Sequence, residues 1–230
     1  MPGLYFIAGL AILPLVIWGI YARGKIRVLF EKYSKQPIKK GITGTRLARA
    51  MLNSAGLNEV VIEEGGADFA DHYDPRQKII RLSRNVARNA SIATVGIAGH
   101  EASHAIQDNR GFLPVRLRNG IAPIVEKVGY FILPLIFLGV FIGGIIASSL
   151  FIDLAILLFF GTVIFYLLTL PVEFEASSRA MRYIKDKKIA DEEELDGIQE
   201  VLRAAAVTYI IAAVLAVAQF LRLLGVYRRE

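Results

Sequence analysis

Four stretches of this 230-residue chain carry no charged side chain: Leu4–Ala22, Val128–Ile152, Leu154–Val172 and Ala204–Leu221. They are 19, 25, 19 and 18 residues long. A hydrocarbon core about 30 Å thick is crossed by roughly 20 helical residues, so each run is long enough to span, the last only just. Apolar residues make up 54% of the chain and charged residues 21%. Soluble domains average about 45–50% and about 25%, and disordered chains are far less apolar. Both classes are excluded, and a mainly α membrane protein with about four transmembrane helices is expected. The alanine-rich Ala204–Leu221 also fits a buried helix of a soluble domain. Leu4–Ala22 has no basic residue before it, and its basic cluster follows it. It therefore reads as a retained anchor, not a cleaved signal peptide.

Basic residues set the orientation. Of the 27 Lys and Arg, 18 lie between Arg23 and Lys127 and 6 between Glu173 and Arg203. If the four runs alternate, these 24 share one side, which is then the cytoplasm. Arg222, Arg228 and Arg229 fall on the other. The expected organisation is an N-terminal anchor over 1–22 and a cytoplasmic core over 23–127. A membrane hairpin over 128–172, cytoplasmic helices over 173–203 and a C-terminal membrane helix over 204–230 follow. The net charge of +6 is then a topology signal. With no basic–aromatic motif beside it, nucleic acid is not an expected partner. The basic cluster from Arg23 to Lys40 suits anionic lipid headgroups.

Within the polar part, Leu47, Met51 and Leu52 have helical spacing, with a C-cap signal at Gly56 and Asn58. Val60–Ile62 and Lys78–Ser83 read as two short strands, with a turn at Asp74-Pro75-Arg76. Lys78–Ser83 is also a candidate edge for strand addition by an extended substrate. Asn85 to Gln107 reads as one helix. Asp191–Glu194 reads as an acidic helix start.

His100-Glu101-Ala102-Ser103-His104 lies inside that helix. Residues four apart share a helix face at about 6 Å, so both imidazoles can converge on one ion. Glu101 is offset and suits a general base acting on a metal-activated water. Two of only three histidines fall within five residues, in surroundings otherwise apolar, where polar groups need partners. With no cysteine in the chain and the third histidine, His72, far off in the expected hairpin, carboxylates are the other choice for a zinc site's third ligand. Glu173, the first charged residue after the third run, is the leading choice and Glu175 the reserve. Two residues apart on a helix they point about 200° apart, so both cannot serve one metal.

The H-E-x-x-H segment, followed downstream by Glu173-Phe174-Glu175-Ala176-Ser177-Ser178-Arg179-Ala180, resembles the neutral zinc metallopeptidases of the YugP type. Asp71-His72-Tyr73-Asp74-Pro75-Arg76 before Ile80-Arg81-Leu82-Ser83 resembles them too. The resemblance covers nearly the whole chain. More distantly the segment is similar to HtpX-type and CAAX prenyl proteases. It implies a small α+β gluzincin-like zinc peptidase unit holding one Zn2+ per chain. It also implies His100, His104 and Glu173 as ligands, Glu101 as the base, and a protein or peptide as substrate. Those relatives carry Asp four residues after the Glu ligand; here Ser177 stands there, outside the ligand set. His72, Tyr73 and Arg179 are candidate substrate or oxyanion contacts.

Two rivals stand beside this reading. Leu195-Asp196-Gly197 matches a ligand tripeptide of intramembrane site-2 proteases, but it lies in a charged stretch. A non-catalytic membrane scaffold that keeps a metal for stability is the other. The expectation is a multi-pass cell-membrane zinc endopeptidase, facing the cytoplasm and acting on unfolded or membrane-anchored chains. Its oligomeric state is not legible in the sequence.

Overall fold

The computed structural model describes residues 12–67, 70–141 and 145–227. In chain order these form α1 (Leu13–Ser34), α2 (Gly44–Ser54), β1 (Val61–Glu64), β2 (His72–Asp74) and β3 (Ile79–Leu82). Then come α3 (Arg84–Arg88), α4 (Ile92–Asn109), α5 (Leu113–Phe141), α6 (Ile145–Asp186) and α7 (Glu192–Tyr227). The protein is mostly helical, with one small sheet. It divides into two compact units. One comprises Ala22–Leu113 with Val172–Val207; the other comprises Met1–Tyr21, Pro114–Pro171 and Thr208–Glu230.

In the first unit the core is built from α2, α4, the sheet, and the adjoining parts of α6 and α7. Leu47, Met51, Leu52, Ile80, Leu82, Val95, Ile184 and Ile198 are all fully buried. The strand order is β1-β3-β2, with β1 parallel and β2 antiparallel to β3. Three strands thus form where two were expected. Strand β3 is the central one, so Lys78–Ser83 has no free edge and cannot take up a substrate strand. The edges are β1 and β2. Strand β2 escapes a periodicity reading because three residues, His72–Asp74, are too few to show alternation. Asp74 Oδ1 accepts from Arg76 N and Gln77 N at 2.9 and 3.2 Å, which closes the β2–β3 turn.

The single helix expected over Asn85–Gln107 is two. The break comes at Asn89–Ser91, where Ser91 caps α4. Its side chain accepts from Thr94 N, and Thr94 Oγ1 accepts from Ser91 N at 3.0 Å. Ile38 N donates to Ala90 O and Ile92 N to Gln36 O, both at 3.0 Å, pinning the start of the helix. Asp191 and Glu194 make a reciprocal cap at the head of α7: Glu194 N donates to Asp191 Oδ1 and Asp191 N to Glu194 Oε2. The Asp196 side chain is exposed. A Cβ on Gly197 would stand 2.7 Å from Tyr33 and 2.9 Å from Ile92. The Leu195-Asp196-Gly197 segment is thus a packing site for Tyr33.

In the second unit, Phe159 and Phe160 of α6 meet Phe220 of α7 at ring distances of 6.3 and 5.4 Å. Leu157, Phe160, Leu167, Val214 and Leu221 turn outward. Among the described residues two helices, not four, are long and apolar enough to cross a membrane: Asp153–Asp186 and Glu192–Gly225. Most of Leu4–Ala22 lies outside the described residues. Val128–Ile152 includes residues 142–144, which lie outside the described residues; α5 is described as far as Phe141 and α6 from Ile145.

Gly44 opens α2 where it meets α3. A Cβ there would lie 2.2 Å from the Val86 carbonyl oxygen, a backbone atom with little room to move. Gly24 in α1 has nothing within 4 Å. Gly44→Ala should lower stability by about 1–3 kcal/mol. Gly24→Ala should be neutral or raise it by up to about 1 kcal/mol through helix propensity. Thermal unfolding of the purified protein in detergent checks both.

Candidate metal centre

Helix α4 is buried almost all round. From Ile92 to Asp108 only Ile97, His100, His104 and Asp108 are partly open. Their spacing of three and four residues makes one stripe along the helix. Ser103 Oγ donates to Gly99 O at 2.8 Å, which satisfies the buried hydroxyl inside the motif.

Glu173 on α6 meets this stripe. His100 Nε2 lies 3.1 Å from Glu173 Oε2, His104 Nε2 lies 3.7 Å from the same oxygen, and the two Nε2 atoms are 3.1 Å apart. The side chains of His100, His104 and Glu173 are 13%, 11% and 6% exposed. One ligand atom from each lies within 4.8 Å of the others. Three donors at 2.0–2.1 Å from one tetrahedral zinc stand about 3.4 Å apart. The observed separations bracket that value, and the donor set of two imidazoles and one carboxylate is one zinc accepts. The residues therefore fit the ion.

Burial works to lower the pKa of His104, but the hydrogen bond to Glu173 and the charges of Glu101 and Glu173 outweigh it and raise it. Glu101 is 8% exposed and sits one residue round the helix from His100. Its charge reaches Asp71, whose carboxyl is pushed up, first by burial and also by Glu101. Asp71 in turn accepts from Ser83 N at 2.7 Å.

The remaining sequence candidates divide. Ser177, one turn beyond Glu173, has its Oγ 3.1 Å from His100 Nδ1, so the helix brings both to one imidazole. Glu175, the reserve ligand, does not join the cluster. It pairs with Arg179 and accepts from Gln107 Nε2 at 2.7 Å. Arg179 is thereby engaged with Glu175. Tyr73 donates to Asp108 Oδ2 at 3.0 Å. Its phenol is pushed well above the usual range by burial and by Asp108, so it stays a neutral donor. His72 is exposed, with Nδ1 2.7 Å from Ala70 O. Sequence reasoning passed over Gln107, which touches His104 Nδ1 through Oε1 at 2.9 Å. Its signal was available: a polar amide one turn after a motif histidine, on a helix that is otherwise apolar there.

The family model described as "putative neutral zinc metallopeptidase" matches residues 8–228. The chain is 38% identical over 224 residues to a Bacillus subtilis (strain 168) protein, "Putative membrane protease YugP". That match covers 97% of this chain and 96% of the relative. No solved structure matches.

Glu173→Gln removes the carboxylate that both imidazoles face, whereas Glu175→Gln alters no atom facing them and keeps an amide oxygen that can still accept from Gln107 Nε2. Zinc titration should show affinity falling by at least about 100-fold for the first, as expected for a lost ligand, and little change for the second. Loss of zinc from the Glu175 variant alone would overturn the ligand assignment.

Proposed function

The chain belongs to this family of neutral zinc metallopeptidases, and from that premise we propose that it is an integral-membrane, zinc-dependent endopeptidase. The observation that carries the proposal is the convergence of His100, His104 and Glu173 from two helices onto one point. Zinc held by these three would supply a water with a pKa of about 7 and polarise the scissile carbonyl.

Glu101 then acts as general base. It takes the proton of the attacking water and passes it to the leaving amine nitrogen. Being about 100° round the helix from His100, it stands beside the ligand stripe and not in it. Its burial strengthens its interaction with a proton or a developing charge. Three protein ligands among the described residues would leave a fourth position for water and substrate, which favours catalysis over a structural role, where all four would come from the protein.

The site is proposed to face the cytoplasm from a chain that crosses the membrane four times, organised over 1–22, 23–127, 128–172, 173–203 and 204–230 as the charge pattern indicates. Glu173 follows the third apolar run at once, so the metal would lie within a turn or two of the bilayer boundary. Unfolded or membrane-anchored polypeptides suit such a site, because tethering concentrates them there.

Two measurements test the proposal. Glu101→Gln should lower peptide hydrolysis by about 10²–10⁴-fold, the usual worth of a general base, while keeping one zinc per chain. A wild-type protein that binds zinc and cleaves nothing would instead favour a metal-stabilised scaffold. For topology, the chain has no native cysteine, so single-cysteine labelling is clean. Cysteines at Lys40 and Gln77 should be protected from an impermeant reagent in intact cells, and one at Ser149 should react. The reverse pattern would put the site outside the cell.

A further inference from the structure

Gln107 is fully buried, and all its hydrogen-bonding capacity on the facing side is committed. Its Nε2 lies 2.8 Å from the Val172 carbonyl oxygen and 2.7 Å from Glu175 Oε2. Its Oε1 lies 2.9 Å from His104 Nδ1. A main-chain carbonyl and a carboxylate paired with an arginine accept hydrogen bonds and do not donate them. Both therefore require the NH2 end of the amide, and the amide cannot be turned over. The oxygen is left facing His104, so the proton of the imidazole must sit on Nδ1. The lone pair is then on Nε2, the atom directed at Glu173 and His100.

We propose that Gln107 is the positioning residue that sets the tautomer and ring orientation of His104, with Glu175 as the group that holds the amide in that sense. The proposal rests on the reading that His100, His104 and Glu173 hold zinc. His100 has no equivalent fixed partner, because the Ser177 hydroxyl at its Nδ1 can either donate or accept. The same amide ties α4 to the Val172 carbonyl, one residue before Glu173. It therefore also sets the spacing between the helix that carries the two histidines and the helix that carries the carboxylate.

The test needs no substrate. Three histidines in the whole chain make selectively 15N-labelled protein tractable by NMR. In metal-free wild type, at a pH where the imidazoles are neutral, His104 should show the Nδ1–H tautomer. Gln107→Leu should show a mixture of tautomers and bind zinc about 10–100-fold more weakly, the usual effect of losing such a partner. Gln107→Glu should also bind weakly, because it sets one carboxylate against another at Glu175. The double variant Gln107→Glu with Glu175→Gln restores a donor at 175 and an acceptor at 107, and should regain at least about tenfold over Gln107→Glu alone. A purely structural role gives no such rescue. Wild-type zinc affinity and an unshifted tautomer in Gln107→Leu would overturn the proposal. If that variant does not fold, equal affinity of the single and double carboxylate variants would do the same. His104→Ala runs alongside: if it keeps wild-type zinc binding, the metal-site reading itself fails, whereas its loss beside an unaffected Gln107→Leu condemns only the role of Gln107.

Discussion

Everything in the first unit is arranged around one buried carboxylate. Glu173 is 4% exposed, and an isolated ionised carboxyl in such a place is several kcal/mol away from stability. Two imidazoles offset that cost by meeting one of its oxygens. The requirement is mutual, because the same imidazoles lie on the only open stripe of a helix otherwise enclosed in apolar side chains. Strong packing on three sides of α4 thus leaves polar groups one direction to face, and α6 places its carboxylate in that direction.

The support for this arrangement comes from small local devices. The reciprocal Ser91 and Thr94 cap starts α4 at a defined residue, which sets the rotational phase of His100 and His104. The paired backbone of Gln36–Ile38 with Ala90–Ile92 holds that start in place. At the other end Tyr73 reaches Asp108, linking the last turn of α4 to the edge strand. Both ends of the helix are tied, so its centre can present ligands with little freedom to rotate.

The chemistry was more legible in the sequence than the architecture. His100 and His104 announce themselves by a four-residue step, and Glu173 by being the first charge after a long apolar run. Those signals are local and survive in a one-dimensional string. Strand order does not, because β1 and β3 pair only after β2 has been laid between them in the chain. The acidic start expected at Asp191–Glu194 is where α7 begins, at Glu192, because carboxylates favoured at a helix N-terminus leave a local mark in the string. Asn89–Ser91 was read through because apolar periodicity continues on both sides. The part played by Gln107 needs three partners, from Val172, Glu175 and His104, and no spacing rule joins residues 65 and 68 positions apart.

Glu173 and Ser177 meet the same imidazole from successive turns of α6, while Val172 and Glu175 meet Gln107 from its flank. A single residue inserted into a helix turns everything beyond it by about 100°. Between Val172 and Ser177 such a change would separate contacts that must coincide. Further upstream, it would leave all four contacts in phase with one another. The count of the six residues from Val172 to Ser177 is therefore fixed by these contacts, whereas the length of α6 before Val172 is not set by them.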